Sequence, residues 1–500
     1  MSNIALSGRT RRALLAAGCM AAGWTGPALA QDAAGPALPG IQPVAPAAAA
    51  DAAPVGAAVG FWRRPNMLGD MGGLRTVLGN VGITLGLNEV SEVLGNVSGG
   101  LKQGATYDGV TTLTVQMDTQ KAFGWAGGTV NVSALQLHGR NLSQYYLDNL
   151  QTASGIGATP TTRFWEIWYQ QSMLDGKLDV KLGQQSIDQE FMTSTYSSLF
   201  VNTMMGWPML PSADLYAGGP AYPLSSLGVR LRANPVGPLT LLAGVFQDNP
   251  PGGPFNDDGQ LRGTSRFGAN FNLRTGALFI AEAQYAVNQP SNDTMASPAG
   301  AKGAATSGLP GTYKIGAWFD TAGFPDQRFA TNGLSLADPA SSGVARTRRG
   351  NVSLYALADQ MVWQPDPQGA RAVGLFARVM GAPGDRNLID LSLNAGVTLK
   401  APLPGRDNDS FGVGYGFAHV SGGASGLDRD TAYYSGGAYP VRSTEHFIEV
   451  TYQAQITPWL QIQPDFQYVF HVGGGIQNPD APPRRIGDEA IFGARSSLTF

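Results

Sequence analysis

Residues 445–470 read EHFIEVTYQAQITPWLQIQPDFQYVF, and residues 488–500 read DEAIFGARSSLTF. In the first stretch Ile448, Val450, Tyr452, Ala454 and Ile456 alternate with Glu449, Thr451, Gln453 and Gln455. Beyond Thr457-Pro458, Leu460, Ile462, Phe466, Tyr468 and Phe470 are opposed by Gln461, Gln463, Asp465 and Gln467. Alternation of period two puts the apolar set on one face of a strand and the polar set on the other. The tight turn between the two runs makes them a hairpin. The last stretch repeats the pattern, with Ala490, Phe492, Ala494, Leu498 and Phe500 against Arg495, Ser497 and Thr499. Aromatic residues gather near the strand ends and the chain stops on one. Strands that face lipid between two aromatic girdles have this distribution.

Working outward, the composition of the 500 residues agrees. Gly 67 with 14% charged residues and a mean hydropathy near zero describes a chain without long apolar runs. After the N-terminus no stretch approaches the roughly 18 apolar residues of a membrane helix. A membrane reading therefore requires strands closed into a barrel, the other way to satisfy backbone hydrogen bonds in lipid. The net charge of −3 gives no basic footprint for nucleic acid, which is dropped as a partner. The single cysteine, Cys19, lies in the first 30 residues, so a processed chain has neither a disulfide nor a thiol nucleophile. His138, His419, His446 and His471 lack metal-ligand spacing. The sequence carries no G-x-S-x-G elbow, H-E-x-x-H pair or phosphate loop, so neither enzyme chemistry nor a metal or cofactor is expected.

At the N-terminus Arg9, Arg11 and Arg12 precede an apolar run that ends in Ala28-Leu29-Ala30. This reads as a secretory signal peptide over 1–30. Residues 31–60 are nearly all Ala, Pro and Gly, a flexible linker composition. Over 61–80 the spacing of Leu74, Val77 and Leu78 predicts a short helix at the periplasmic mouth. Residues 81–500 read as the barrel.

The predicted strands are 112–118, 163–171, 178–185, 227–233, 267–274, 373–379 and 391–400. To these are added 83–90, 129–138, 239–246, 277–287, 352–363 and 411–419. With the three C-terminal strands the count is 16. Tyr313 to Phe319 also alternates, but one extra strand would put the C-terminus on the wrong side of the membrane. It is expected in an external loop, or else paired with an unseen neighbour in an 18-strand barrel. The fold class is all-β: a transmembrane antiparallel barrel of 16 strands with a short N-terminal helix.

Alternation also names lumen candidates: Glu166, Asp179, Lys181, Arg230, Arg232, Glu282, Arg378, Glu449, Asp465 and Arg495. Asn270 and Asn272 fall in the same set. Both charge signs are present, whereas an ion-selective pore is expected to show an excess of one. The segment Asp188 to Pro223 is too apolar for a free surface loop, with Trp207, Tyr216 and Tyr222 among its aromatics. It is expected to fold into the barrel as a constriction, its aromatics either stacking on a solute or packing on the wall.

Several separated motifs occur together in order: Gly99-Gly-Leu-Lys-Gln-Gly, Gly139-Arg-Asn-Leu-Ser, Gly206-Trp-Pro, Gly218-Gly-Pro-Ala-Tyr-Pro, Gly228-Val-Arg-Leu-Arg and Gln463-Pro-Asp-Phe-Gln-Tyr. Over roughly 66–500 the chain resembles the carbohydrate-selective porins of the OprB type. Met71 departs from the pattern, standing where Trp is expected in Gly-Asp-Trp-Gly-Gly. The resemblance implies a 16-strand Gram-negative outer-membrane channel for passive diffusion of small sugars such as glucose. Its partners would be sugar solutes, outer-membrane lipids and the barrel-assembly machinery, with a homo-oligomer left open. A general or anion-leaning diffusion porin stays open beside it, as does a lumen whose charges only cross-link one another. A barrel enzyme or adhesin would need a catalytic set or a large external domain.

Overall fold

The structure, a computed structural model, describes residues 60–255, 267–269, 273–289, 308–367 and 369–500. Sixteen strands follow in chain order: β1 (Ile83–Gly100), β2 (Gly104–Asp118), β3 (Gly128–Gly139), β4 (Thr161–Met173), β5 (Leu178–Gln185), β6 (Ser226–Val236), β7 (Leu239–Gln247) and β8 (Ala277–Val287). They continue as β9 (Gly311–Ala330), β10 (Ala345–Trp363), β11 (Ala372–Gly381), β12 (Ile389–Lys400), β13 (Ser410–Val420), β14 (Thr444–Thr457), β15 (Leu460–Phe470) and β16 (Gly487–Thr499). Each pairs antiparallel with its neighbours in sequence, and β1 pairs with β16 to close the barrel. Closure removes every sheet edge, which lets the strands cross lipid without unsatisfied backbone groups.

The count of 16 holds, but two predicted assignments are exchanged. Tyr313 to Phe319 lies inside β9, paired to β8 on one side and β10 on the other. The stretch 267–274 belongs to the connection between β7 and β8, and none of its described residues is in a strand. Phe267 and Leu273 are 55% and 70% exposed there. Asn270 and Asn272 lie outside the described residues. Alternation alone misled, because a loop can alternate without a partner to pair with. The 18-strand alternative falls with the closed ring of 16.

Alternation sorts the wall as the C-terminal hairpin predicts. Glu449 is fully buried toward the lumen while Ile448 is 37% exposed on the outer face. The turns at the N-terminal end of β1 are short, as at 174–177, 237–238 and 458–459, which marks that end as periplasmic. Here the chain fastens its two ends together. Met67 N–H donates to the Thr499 carbonyl at 2.9 Å, and Trp459 Nε1 donates to the Phe61 carbonyl at 3.1 Å. Trp62 stacks on Trp459 with ring centroids 5.9 Å apart. Arg75, in the helix Leu74–Asn80, donates to the Phe500 carbonyl. Phe500 N–H in turn reaches the Leu87 carbonyl at 2.9 Å.

The external connections 140–160 and 186–225 turn inward. Their apolar side chains, among them Phe191, Phe200, Met205 and Trp207, form one buried cluster with Phe246, Trp318, Phe376 and Phe447 of the wall. The hydrophobic core of this protein therefore lies inside the barrel, between loop and wall.

Candidate functional site

Loop 186–225 is closed at its base by Asp188, which accepts Tyr222 N–H at 3.1 Å and the Ser186 hydroxyl at 2.5 Å. Within it Asn202 caps the turn Thr203–Gly206 by accepting Met204 N–H at 2.9 Å. A loop with little regular structure leaves many backbone groups bare, and burying them demands partners. Inward side chains of the wall supply these. Glu282 of β8 accepts Met192 N–H at 2.8 Å, and Asp359 of β10 accepts Thr195 N–H at 2.9 Å. Glu449 of β14 accepts Val201 N–H at 2.5 Å and Asn202 N–H at 3.1 Å. Arg378 of β11 donates to the carbonyls of Met192, Met204, Met205 and Gly206 at 2.8, 2.5, 3.2 and 3.1 Å. Glu445 treats the other inward loop alike, accepting Leu150 and Gln151 N–H at 2.8 and 2.6 Å. The two loops join where Gly155 N–H meets the Val201 carbonyl at 2.9 Å.

On the side of β4–β6 the loop presents Glu190 to a seam of opposite charge. Lys181 and Arg230, cross-strand neighbours on β5 and β6, both engage it, Arg230 Nη2 at 3.2 Å. Arg230 also pairs with Asp179 and donates to Gln170 at 3.0 Å. Lys181 Nζ stands 4.6 Å from the centroid of the Trp168 ring, a cation–π contact. Burial alone would raise the Glu190 carboxyl, but the Arg230 and Lys181 charges beside it hold it down at about 2. Acids and bases in the seam compensate one another, so its chemistry is that of planar donors and acceptors.

The thirteen residues singled out in the sequence separate into groups. Asp179, Lys181 and Arg230 meet in the seam, and Arg232 lies half-buried one step along β6, opposite Asp179. Glu282, Arg378 and Glu449 hold the loop, as does Glu166, which accepts Ser186 N–H at 3.0 Å. Arg495 pairs with Glu92 at 2.6 Å across the closing strands, and Asp465 accepts Gln467 Nε2 at 2.9 Å beside them. Trp207 and Tyr222 are fully buried, their polar edges bonded to the Gly218 and Ile156 carbonyls at 2.9 and 3.0 Å. Neither offers a ring face to a solute in this conformation. Tyr216 is half-buried, its ring 5.3 Å from that of Phe324. Glu190, Trp168, Gln170 and Asp359 complete the arrangement beyond that set. Trp168 was legible, since it shares the lumen parity of Glu166 and Gln170; Glu190 carried no signal inside a loop read for its aromatics.

Residues 102–500 match the carbohydrate-selective porin, OprB family. Porin B of Pseudomonas aeruginosa is 26% identical over 449 residues, covering 85% of this chain and 91% of that protein. The putative porin QuiX of Acinetobacter baylyi is 24% identical over 447 residues, covering 84% and 92%. The high-pH structure of Pseudomonas putida OprB shares the fold with a TM-score of 0.73 at 23% identity, covering 88% of this chain and 100% of that one. With the closed barrel and its inward loops, the match over four-fifths of the sequence is decisive: this chain belongs to the carbohydrate-selective porin, OprB family, and is a channel of the outer membrane.

Proposed function

We propose that this porin passes small neutral sugars, glucose among them, by passive diffusion along the seam between loop 186–225 and the inward face of β4–β6. The supporting observation is the pairing of Glu190 with Lys181 and Arg230 beside Gln170 and Trp168. Forked guanidinium, carboxylate and amide groups match vicinal hydroxyls, and compensated charge leaves little field to draw in ions of one sign. Glu190, Gln170 and Arg232, which are half-buried, carry the solute contacts in this reading, and the buried Asp179, Lys181 and Arg230 position them. Glu166, Glu282, Arg378, Glu449, Asp465 and Arg495 set the width of the passage by holding the loop and the wall. Trp207, Tyr216 and Tyr222 act through packing.

Planar-bilayer conductance in the presence of glucose, maltose or succinate tests the proposal. Glucose and maltose are expected to reduce the current in a saturable way, with a reversal potential near zero in a salt gradient. An anion-selective reversal potential without sugar block would make it a general or anion-leaning porin.

A further inference from the structure

The outer face of β6–β10 is not an even wall. On it Leu231, Ala243, Ala281 and Ala317 stand side by side in one row, each the cross-strand partner of the next. Their chain neighbours Leu242, Glu282 and Trp318 are buried inside the barrel, so alternation turns the three alanines toward lipid. The next row toward the cell exterior is large and exposed, with Val245, Phe279 and Phe319. Three methyl groups among larger side chains leave a trough of about 410 Å³, bounded by Leu231 on β6 and Val352 on β10. Ligand pockets span roughly 300–1,000 Å³, so the trough has room for part of a molecule and not merely one side chain.

The trough lies on the exterior side of the periplasmic aromatic belt. Tyr285 and Tyr313, cross-strand partners exposed on the same face, mark that belt, and the alanine row stands above them along β8 and β9. Above the trough the wall turns polar through a break in alternation. Asn351 is buried in the lumen, and strict alternation would send Arg349 inward with it. Gly350, at φ 73° between them, reverses the phase, so that Arg349 pairs on the outer face with Gly323, whose neighbours Ala322 and Phe324 are buried. Thr321 and Thr347 are exposed beside it. Other arginines at this end are tied: Arg346 and Arg348 each reach Asp326 at 2.9 Å, and Arg386 reaches Asp385 at 2.8 Å. Arg349 is exposed and makes no ion pair among the described residues.

We propose that the trough and Arg349 form a binding site for lipid A, the phosphorylated, multiply acylated glycolipid of the outer leaflet, with an acyl chain along the alanine row and a phosphate on the guanidinium. Apolar surface in a bilayer already faces hydrocarbon, so covering it with another chain gains nothing by itself. Fit and headgroup are what make one lipid stay. A trough gives an acyl chain more dispersion contacts than a flat wall does, and a guanidinium meets a phosphate with two charge-assisted hydrogen bonds. The arginine stands at the exterior end, where the glycolipid phosphates are and inner-leaflet headgroups are not. A second barrel does not complement this surface, because trough laid on trough encloses a void and supplies Arg349 with no acid. The site is on the opposite face of the wall from the sugar passage and is independent of it.

The test is native mass spectrometry of the full chain in mild detergent, titrated with bisphosphorylated lipid A, with lipid A stripped of its phosphates and with phosphatidylglycerol. Bisphosphorylated lipid A is expected to bind several times more tightly than the other two. Arg349→Gln is expected to weaken it about tenfold, the order of one charge-assisted hydrogen bond. Ala281→Phe with Ala317→Phe fills the trough and is expected to weaken it several times. Ala377→Phe with Ala395→Phe adds the same bulk to another cross-strand pair, on β11 and β12, and should leave it unchanged. Equal binding of the three lipids by the wild type, or equal loss from both alanine pairs, overturns the proposal. So does a second chain in place of lipid that only the trough-filling pair removes. If a Phe pair fails to fold, as heat-modifiable mobility reports, the three-lipid comparison and Arg349→Gln decide.

Discussion

Truncating Arg378 to alanine removes the side chain that meets loop 186–225 at four carbonyls, those of Met192, Met204, Met205 and Gly206. The guanidinium is 2% exposed, so water does not replace it while the loop stays in place. A buried acceptor left without its donor costs about 1 to 3 kcal/mol; the Met205 carbonyl keeps the Ser197 hydroxyl at 2.7 Å, so the other three at the low end weaken the docked loop by about 3 kcal/mol. That is roughly a hundredfold in the ratio of docked to loosened loop. The barrel itself is expected to survive, because β11 keeps its backbone ladders to β10 and β12. Single-channel recording is the assay: Arg378→Ala should show larger, noisier conductance and weaker sugar block with unchanged heat-modifiable mobility. Arg378→Lys should fall between, since one ammonium cannot span carbonyls that a planar fork reaches. A folded Arg378→Ala protein with wild-type conductance, noise and block would refute the idea that wall side chains set the loop.

Arg230→Ala with Arg232→Ala is expected to leave the barrel folded, weaken sugar block and shift ion preference toward cations, because Asp179 and Glu190 lose their Arg230 partner; reversal potentials in a salt gradient check it. Glu190 sits at about 2 against an ordinary 4.5, so its hold on the loop is complete above 4.5 and is lost as pH falls through about 2. Open-channel noise should rise as pH falls below about 4.5, and Glu190→Gln should abolish that rise. Deleting Phe500 removes the hydrogen bond to Leu87 and the partner of Arg75, and should lower the yield of heat-modifiable folded protein in membranes. N-terminal sequencing of the outer-membrane form should begin at Gln31; a lipid-bearing start at Cys19 would contradict the Ala28-Leu29-Ala30 cleavage site.

The wall was legible because alternation is local: each strand states its own two faces, and Glu449 against Ile448 needs no distant information. Strand membership was less so. The stretch 267–274 alternates as well as β9 does, and only pairing, which is non-local, tells them apart. The site was legible by side and not by role. Parity put Arg230, Arg378 and Glu449 in the lumen, but contacts across 172 residues, as from Arg378 to Gly206, decide which of them hold the loop. Trp207 shows the same limit, since an aromatic in a loop has the same sequence signature whether it faces a solute or a wall.

The clasp between the chain's two ends implies an order of events. Phe61, Trp62, Met67 and Arg75 find their partners on Trp459, Thr499 and Phe500, which are made last. The contacts of Met67 with Thr499 and of Arg75 with Phe500 therefore form only once the final strand has arrived, although Arg75 also reaches the Leu85 carbonyl of β1 at 3.3 Å. The N-terminal segment thus works as a latch thrown after the ring has shut. Trp62 and Trp459 stack only when this segment is docked, so indole emission from this corner reports whether the latch is thrown.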